Sequence, residues 1–266
     1  MDGRTKEEFG LLYARLDDLA ARSERGEVAI SPFFSPREQY FAMNYLVRRG
    51  VRTVAFGGVR GAERQRLYLL PDYLEADGEN LSEVLSEYGF ATEISALLVK
   101  GSGYKTLSHR DFLGSLLGLG LERSVLGDIL VNEQRDAVLL CDFGIVPFLL
   151  SHLERVGNDK VHVATIDADE LASHSVTPRT SEISDTVASA RLDCVVAALC
   201  RLSREKARAC VLSGLVELNF EVEERPDRTV EAPAIRAGRG VGRFRVLSLS
   251  DLTKKGRLRL RAEKYE

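Results

Sequence analysis

"SREKARACVLSGLVELN" (residues 203–219) decides how the C-terminal third of this chain is read. Ser203 is a good helix cap. Ala207, Cys210 and Val211 recur at helical spacing, and Gly214 supplies a left-handed stop. Arg204 and Arg208 stand four apart on a stripe beside the apolar one, and Lys206 projects elsewhere. After the glycine, "LVELNFEVE" (215–223) alternates as a strand should. The expected unit is a basic helix, a stop and a strand.

The pattern extends on both sides. From Arg191 a preceding helix buries Leu192, Val195, Val196 and Leu199. Downstream, "GRFRVLSL" (242–249) sets Arg243 and Arg245 opposite Phe244 and Val246. "KKGRLRLR" (254–261) opens with Lys254 and Lys255, then sets Arg257, Arg259 and Arg261 against Leu258 and Leu260. Arginine's planar fork suits phosphate oxygens, so a helix stripe beside two basic strand faces points to an RNA backbone held in a groove. Ser203 and Asn219 are candidate hydrogen-bonding partners there. The contacts expected are positional rather than base-reading.

Charge supports this. The 266 residues carry a net charge of −3, yet Thr186–Glu266 holds 17 Lys and Arg against 11 Asp and Glu. The other 185 residues hold 20 against 29. A basic C-terminal module on an acidic body is the asymmetry of a tethered anion binder. Hydrophobic residues at 44% and charged residues at 29% fit a globular protein. The longest apolar candidate, Val138–Leu150, is interrupted by Asp142 and Pro147, and "MDGRTKEEFG" has no signal-peptide core. A monomeric cytoplasmic protein with no membrane partner is expected. Cys141, Cys194, Cys200 and Cys210 form no CxxC pair and are expected to be buried, reduced thiols.

Upstream, residues 5–25 are expected to form a helix through Phe9, Leu12, Leu16 and Leu19. A second begins at Ser35, with Pro36 in its first turn and Glu38 three residues after the cap, and stops at Gly50. "TVAFGG" (53–58) and "RLYLLP" (66–71) read as strands. Residues 90–167 give β-α-β-β-α-β: "EISALLVKG" (93–101), a helix capped by Ser108, "GDILVNEQ" (127–134), "DAVLLCDF" (136–143), the helix "GIVPFLLSHLERVG" (144–157), and "VHVATID" (161–167). That order belongs to a split βαβ, ferredoxin-like or RRM-like sheet. Its third strand offers Leu and Cys where base stacking needs aromatics, with Phe143 only at its end. Residues 168–187 read as a linker, or an edge strand followed by a linker. The fold class is α+β in three domains: 1–85 helical with a β-hairpin, 86–170 RRM-like, and 186–266 basic.

Catalytic motifs are lacking. "HRD" (109–111) has Leu at 116 where a kinase loop needs Asn. Asp111 is expected to support a helix's first turn, leaving His109 and Arg110 as candidate RNA contacts. Gly57 and Gly58 read as turn residues, and Gly114 and Gly118 as small residues packing a helix on the sheet. Four histidines form no HExxH or metal pair, so no metal and no cofactor are expected.

"RLDCVVAAL" (191–199), "SREKARACVLSGLVELN" and "GRFRV" (242–246) resemble the S4 RNA-binding domain over roughly 75 residues. The chain departs from that pattern at "EAPAIRAGRGVGRF" (231–244), where S4 domains usually have a Gly-Asp turn. "SPREQ" (35–39), "FGGVRGAERQR" (56–66), "PDY" (71–73), "HRDFLGSLLGLGLER" (109–123), "GDILV" (127–131) and "TKKGR" (253–257) occur in this order. Together they resemble the YlmH family of bacterial S4 proteins across nearly the whole chain. The resemblance implies a non-catalytic factor that binds large-subunit rRNA, tRNA or peptidyl-tRNA, and the ribosome. It implies a part in ribosome-associated quality control, during tailing of stalled chains. The rivals are an S4-linked pseudouridine synthase, whose catalytic motif matches "RLD" at 191–193, and a protein-binding adaptor in cell division.

Overall fold

The computed structural model describes residues 9–132, 136–173, 180–232, 236–237, 242–253 and 256–265. The chain divides into two units, Met1–Thr177 and Pro178–Glu266.

In the first unit, α1 (Gly10–Glu24) buries Tyr13, Leu16 and Ala20, and α2 (Pro36–Arg48) starts at Ser35 as the sequence indicates. The Ser35 N–H donates to Glu38 Oε2 at 2.7 Å, and the Glu38 N–H returns a 3.4 Å bond to Ser35 Oγ. Strands β1 (Ala29–Ile30), β2 (Thr53–Phe56) and β3 (Arg66–Leu69) pair antiparallel in the order β1-β3-β2. A short helix, α3 (Leu81–Glu87), follows; it was not anticipated, although Leu81, Val84 and Leu85 carry its spacing.

The segment 94–173 contains β4 (Ile94–Gly101), α4 (His109–Gly118), β5 (Leu126–Val131), β6 (Ala137–Asp142), α5 (Val146–His152), β7 (Arg155–Val156), β8 (Asp159–Ile166) and α6 (Ala168–Ser173). All the strand pairs are antiparallel, in the order β5-β6-β4-β8-β7. The helix expected over 144–157 is shorter. A 3₁₀ turn occupies Phe143–Ile145, and the chain leaves α5 at Leu153 to form the β7–β8 hairpin, turning at Gly157 with φ 56°. Gly114 and Gly118 do not serve close packing, because a Cβ on either would meet nothing within 4 Å.

Strand β6 is buried on both faces, which is why it reads as the unbroken apolar run "AVLLC". Leu139 and Cys141 join Phe112, Leu116 and Leu149 in the core beneath α4 and α5. Burial pushes the Cys141 thiol up to about 12, so it stays protonated and unreactive. On the opposite face Leu98, Val138 and Leu140 are equally buried. There the N-terminal segment closes over the sheet. A Cβ on Gly58 (φ 92°) would lie 3.0 Å from Ile94 and 3.3 Å from Leu140; one on Gly127 would lie 2.9 Å from the Phe33 ring. A sheet that stacks bases must do so on the face its helices leave open, and here that face is covered at Leu98, Val138 and Leu140, while Lys100 and His162 at its far end stay exposed.

Polar bonds lock this joint. Arg66 donates to the carbonyls of Ser31 and Glu93, each at 2.9 Å, and pairs with the Asp142 carboxylate. Arg64 donates to the carbonyls of Leu126, Phe33 and Arg123, and Asp128 accepts from the backbone N–H groups of Glu63 and Arg64. Gln39 donates to the carbonyls of Phe34 and Glu63. Several residues of "SPREQ", "AERQR" and "GDILV" therefore serve the fit of two segments.

In the second unit, β9 (Thr180–Val187) pairs along its whole length with β14 (Leu258–Tyr265), which also pairs with β13 (Arg243–Leu252). Residues 180–187 are thus the edge strand of the second alternative, placed at the end of the stretch and not ahead of a linker; their alternating Ser, Glu and Thr are the solvent side of a sheet, a polar pattern that resembles a loop. Helices α7 (Leu192–Leu199) and α8 (Arg204–Leu212) pack against each other, and α7 packs on β9. Their core joins Leu192, Val195, Val196, Leu199, Ala207 and Val211 to Phe244, Val246, Leu260 and Ala262. "LVELNFEVE" is not one strand but a hairpin, β10 (Val216–Leu218) and β11 (Glu221–Val222). Asn219 and Phe220 turn it with φ of 52° and 67°, the signature of a two-residue type I′ turn. β10 pairs also with β12 (Arg236–Ala237).

Candidate nucleic-acid interface

The second unit brings the expected arginines to its surface, but on two sides. The alternation of β13 and β14 sends Phe244, Val246, Leu260 and Ala262 toward α7 and α8, so Arg243, Arg245, Arg259 and Arg261 point away from the helices. The single groove expected from the sequence is therefore two basic surfaces, one on the helices and one on the outer sheet face.

On the helical side the centre is Asp193. Its carboxylate, only 3% exposed, accepts from Arg191 Nε at 3.1 Å and from Arg204 Nε at 3.3 Å. Burial alone would push this carboxyl up; the Arg191 hydrogen bond, the Cys194 contact and the Arg204 charge outweigh it and hold the group below its usual range. One buried carboxylate thus fixes two guanidinium groups, 41% and 60% exposed, at the mouth of the helix pair. Ser203 caps α8 by accepting the Lys206 N–H at 3.3 Å. Lys206 and Arg208 are exposed on α8, whose buried side is Ala207 and Val211. Asn219 sits half-buried in the hairpin turn, so it has a structural task besides any contact it makes.

Asp193→Asn is expected to cost about 1–2 kcal/mol of stability, below the value for a fully enclosed pair because both arginines reach water. The sign follows from the depressed carboxyl. Its contribution is complete above the ordinary value of about 3.9 and fades as pH falls through the folded one. Thermal melts should show the gap between wild type and variant narrowing on acidification; a gap that widens would contradict the assignment.

On the sheet side, Arg243 lies over the Tyr265 ring at 5.2 Å, and Arg245 stands opposite Glu263 in the β13–β14 register. Arg261 pairs with Glu182 at 3.0 Å. Arg257 donates to Thr186 Oγ1 at 3.0 Å and to its carbonyl at 2.6 Å, fastening the end of β14 to β9. Lys254 and Lys255 lie outside the described residues, as does most of the 231–241 segment.

His109 and Arg110 belong to the first unit, exposed at the start of α4. Asp111 closes the cap: its carboxylate accepts from the Ser108 N–H at 2.9 Å and from Ser108 Oγ at 2.6 Å, which holds it below the usual carboxylate range. Among the described residues no helix is long and apolar enough to cross a membrane, and no group of three His, Cys, Asp or Glu is placed to hold a metal.

Comparison with known proteins gives the class first. Residues 92–170 match the family model described as "Putative RNA-binding domain in YlmH". The chain is 29% identical over 262 residues, 98% of its own length and 96% of the relative's, to the ribosome-associated protein quality control protein P2 of Bacillus subtilis strain 168. A solved structure titled cell division protein ylmH, from Streptococcus pneumoniae, superposes with a TM-score of 0.50 at 18% identity, covering 64% of this chain and 96% of that one. The chain thus carries a segment of the YlmH RNA-binding type at residues 92–170 and is similar to the Bacillus protein along nearly its whole length.

Proposed function

We propose that this protein is a non-catalytic RNA-binding factor that contacts large-subunit rRNA and tRNA on the ribosome, in cytoplasmic quality control of stalled chains. Three modules share the work: 1–85, an RRM-like 86–170, and an S4-type 186–266. The observation that carries the reading is the helical side of the second unit, where buried Asp193 presents Arg191 and Arg204, with Arg208 exposed one turn along the same stripe and Lys206 exposed elsewhere on the helix. Guanidinium groups held in advance lose little freedom on meeting a phosphate. The ribosome-associated relative and the RNA-binding description of residues 92–170 support the same reading.

The Arg-Leu-Asp tripeptide favours binding over catalysis. A synthase aspartate must reach a nucleotide, whereas the Asp193 carboxylate is buried and occupied by two arginines. Because the β5-β6-β4 part of the sheet's open face is covered, RNA contacts of the 86–170 module fall elsewhere, with His109 and Arg110 at the start of α4 as the candidates. Crosslinking the protein in cells and sequencing the attached RNA tests the proposal. Large-subunit rRNA and tRNA are the expected yield; recovery of neither would overturn it.

A further inference from the structure

In the first unit, the joint between the N-terminal segment and β5 leaves a cleft of about 560 Å³. Among the described residues its walls bring together four arginines, Arg15 of α1, Arg37 of α2, Arg64 and Arg123, against one carboxylate, Glu38. That carboxylate is already engaged, accepting from the Ser35 N–H and Ser35 Oγ, both at 2.7 Å. Arg64 has a structural role in its three carbonyl bonds, and it adds a half-buried positive charge to the floor. Burial pulls its pKa down, and the neighbouring Arg123 charge pulls in the same direction. Arg37 lies over the rings of Phe9 at 5.1 Å and Phe41 at 5.8 Å, which orient it at the rim.

Arg15 and Arg123 are different. Both are exposed, and among the described residues neither makes an ion pair. Nothing among the described residues requires them to be cationic, and Arg123 stands where it repels Arg64. Like charges gathered in a concave, partly dry site raise the local concentration of anions. The cleft is open, which suits a chain of phosphates crossing it better than an enclosed small molecule.

We propose that the cleft between α1, α2 and the start of β5 is a second RNA-backbone site, in which Arg15 and Arg123 contact phosphates and Arg37 and Arg64 supply the surrounding positive field. The proposal rests on the RNA-binding reading above and adds to it a contact remote in sequence from the helical arginines.

The test is binding of the full chain to deproteinised large-subunit rRNA over a range of salt, for wild type and Arg15→Glu/Arg123→Glu. Each phosphate contact contributes about 0.9 to the slope of log affinity against log salt, which is about eightfold at 0.1 M salt. The double variant should bind at least about tenfold more weakly, and its slope should fall by between about 1 and 2. Arg15→Gln/Arg123→Gln, which removes charge without reversing it, should keep the melting temperature and still lower the slope, separating a missing phosphate interaction from a damaged fold. Wild-type binding with an unchanged slope in both variants would overturn the cleft alone. Failure of the wild type to bind would overturn the RNA reading and the cleft with it. In a separate arm, adenosine monophosphate and inorganic phosphate at millimolar concentration should not compete. If they bind and the variants abolish that binding while rRNA affinity is kept, the cleft is a small-anion pocket and the proposal fails.

Discussion

Arg66→Met is expected to destabilise the first unit by about 3–5 kcal/mol, the usual cost of removing one partner from a buried ion pair. The Arg66 side chain is 7% exposed and serves the carbonyls of Ser31 and Glu93, the Asp142 carboxylate, and the face of the Phe33 ring at 5.2 Å. Methionine fills much of the volume but leaves the partly buried Asp142 carboxylate without its counter-charge, holding only the Gly144 N–H among the described residues, and takes one donor from each carbonyl, that of Glu93 keeping the Phe143 N–H. For a unit of this size the loss corresponds to a fall in melting temperature of roughly 10 °C. Arg66→Lys should recover little, because one ammonium cannot serve three acceptors arranged around a planar fork. Circular dichroism melts would decide it, and a wild-type melting temperature in Arg66→Met would refute the claim that this residue holds the joint.

Lys206→Glu with Arg208→Glu should weaken rRNA binding by about eightfold at 0.1 M salt for each phosphate the protein no longer neutralises, and charge reversal adds repulsion to that effect. The pair is chosen over Arg204 because Arg204 is committed to Asp193, and a glutamate there would face a buried carboxylate and disturb the fold. Both side chains are exposed, so the melting temperature should stay within about 2 °C. Arg243→Glu with Arg245→Glu, on the other side of the sheet, is the internal comparison. Weakened binding in the strand pair and none in the helix pair would move the interface to the outer sheet face.

The parts of the molecule governed by local chemistry were legible in advance. Ser35 with Glu38 and Ser108 with Asp111 form their caps, and the alternation around Phe244 and Val246 separates the buried from the exposed face of β13. What escaped depends on partners distant in the chain. Residues 180–187 become a strand only because β14, more than 70 residues later, supplies their hydrogen bonds. Asn219 and Phe220 turn the chain in a left-handed conformation that no glycine announces. Arg204 looks free in sequence, and its tie to Asp193, eleven residues earlier, depends on how α7 and α8 cross. The cleft arginines come from separated stretches, so nothing in their spacing foretells their meeting.

The covered face of the β5-β6-β4-β8-β7 sheet bears on how such proteins are dissected. A segment by which relatives are recognised and a piece of chain that can keep its own apolar surface dry are two different lengths. Excising residues 92–170 would bare Leu98, Val138 and Leu140 together and leave Asp142 and Asp128 without Arg66 and the Glu63–Arg64 backbone. The segment that the family model matches is shorter than the first compact unit. A fragment study respects this protein's physics when it cuts after the first unit, between Thr177 and Pro178, and not inside it.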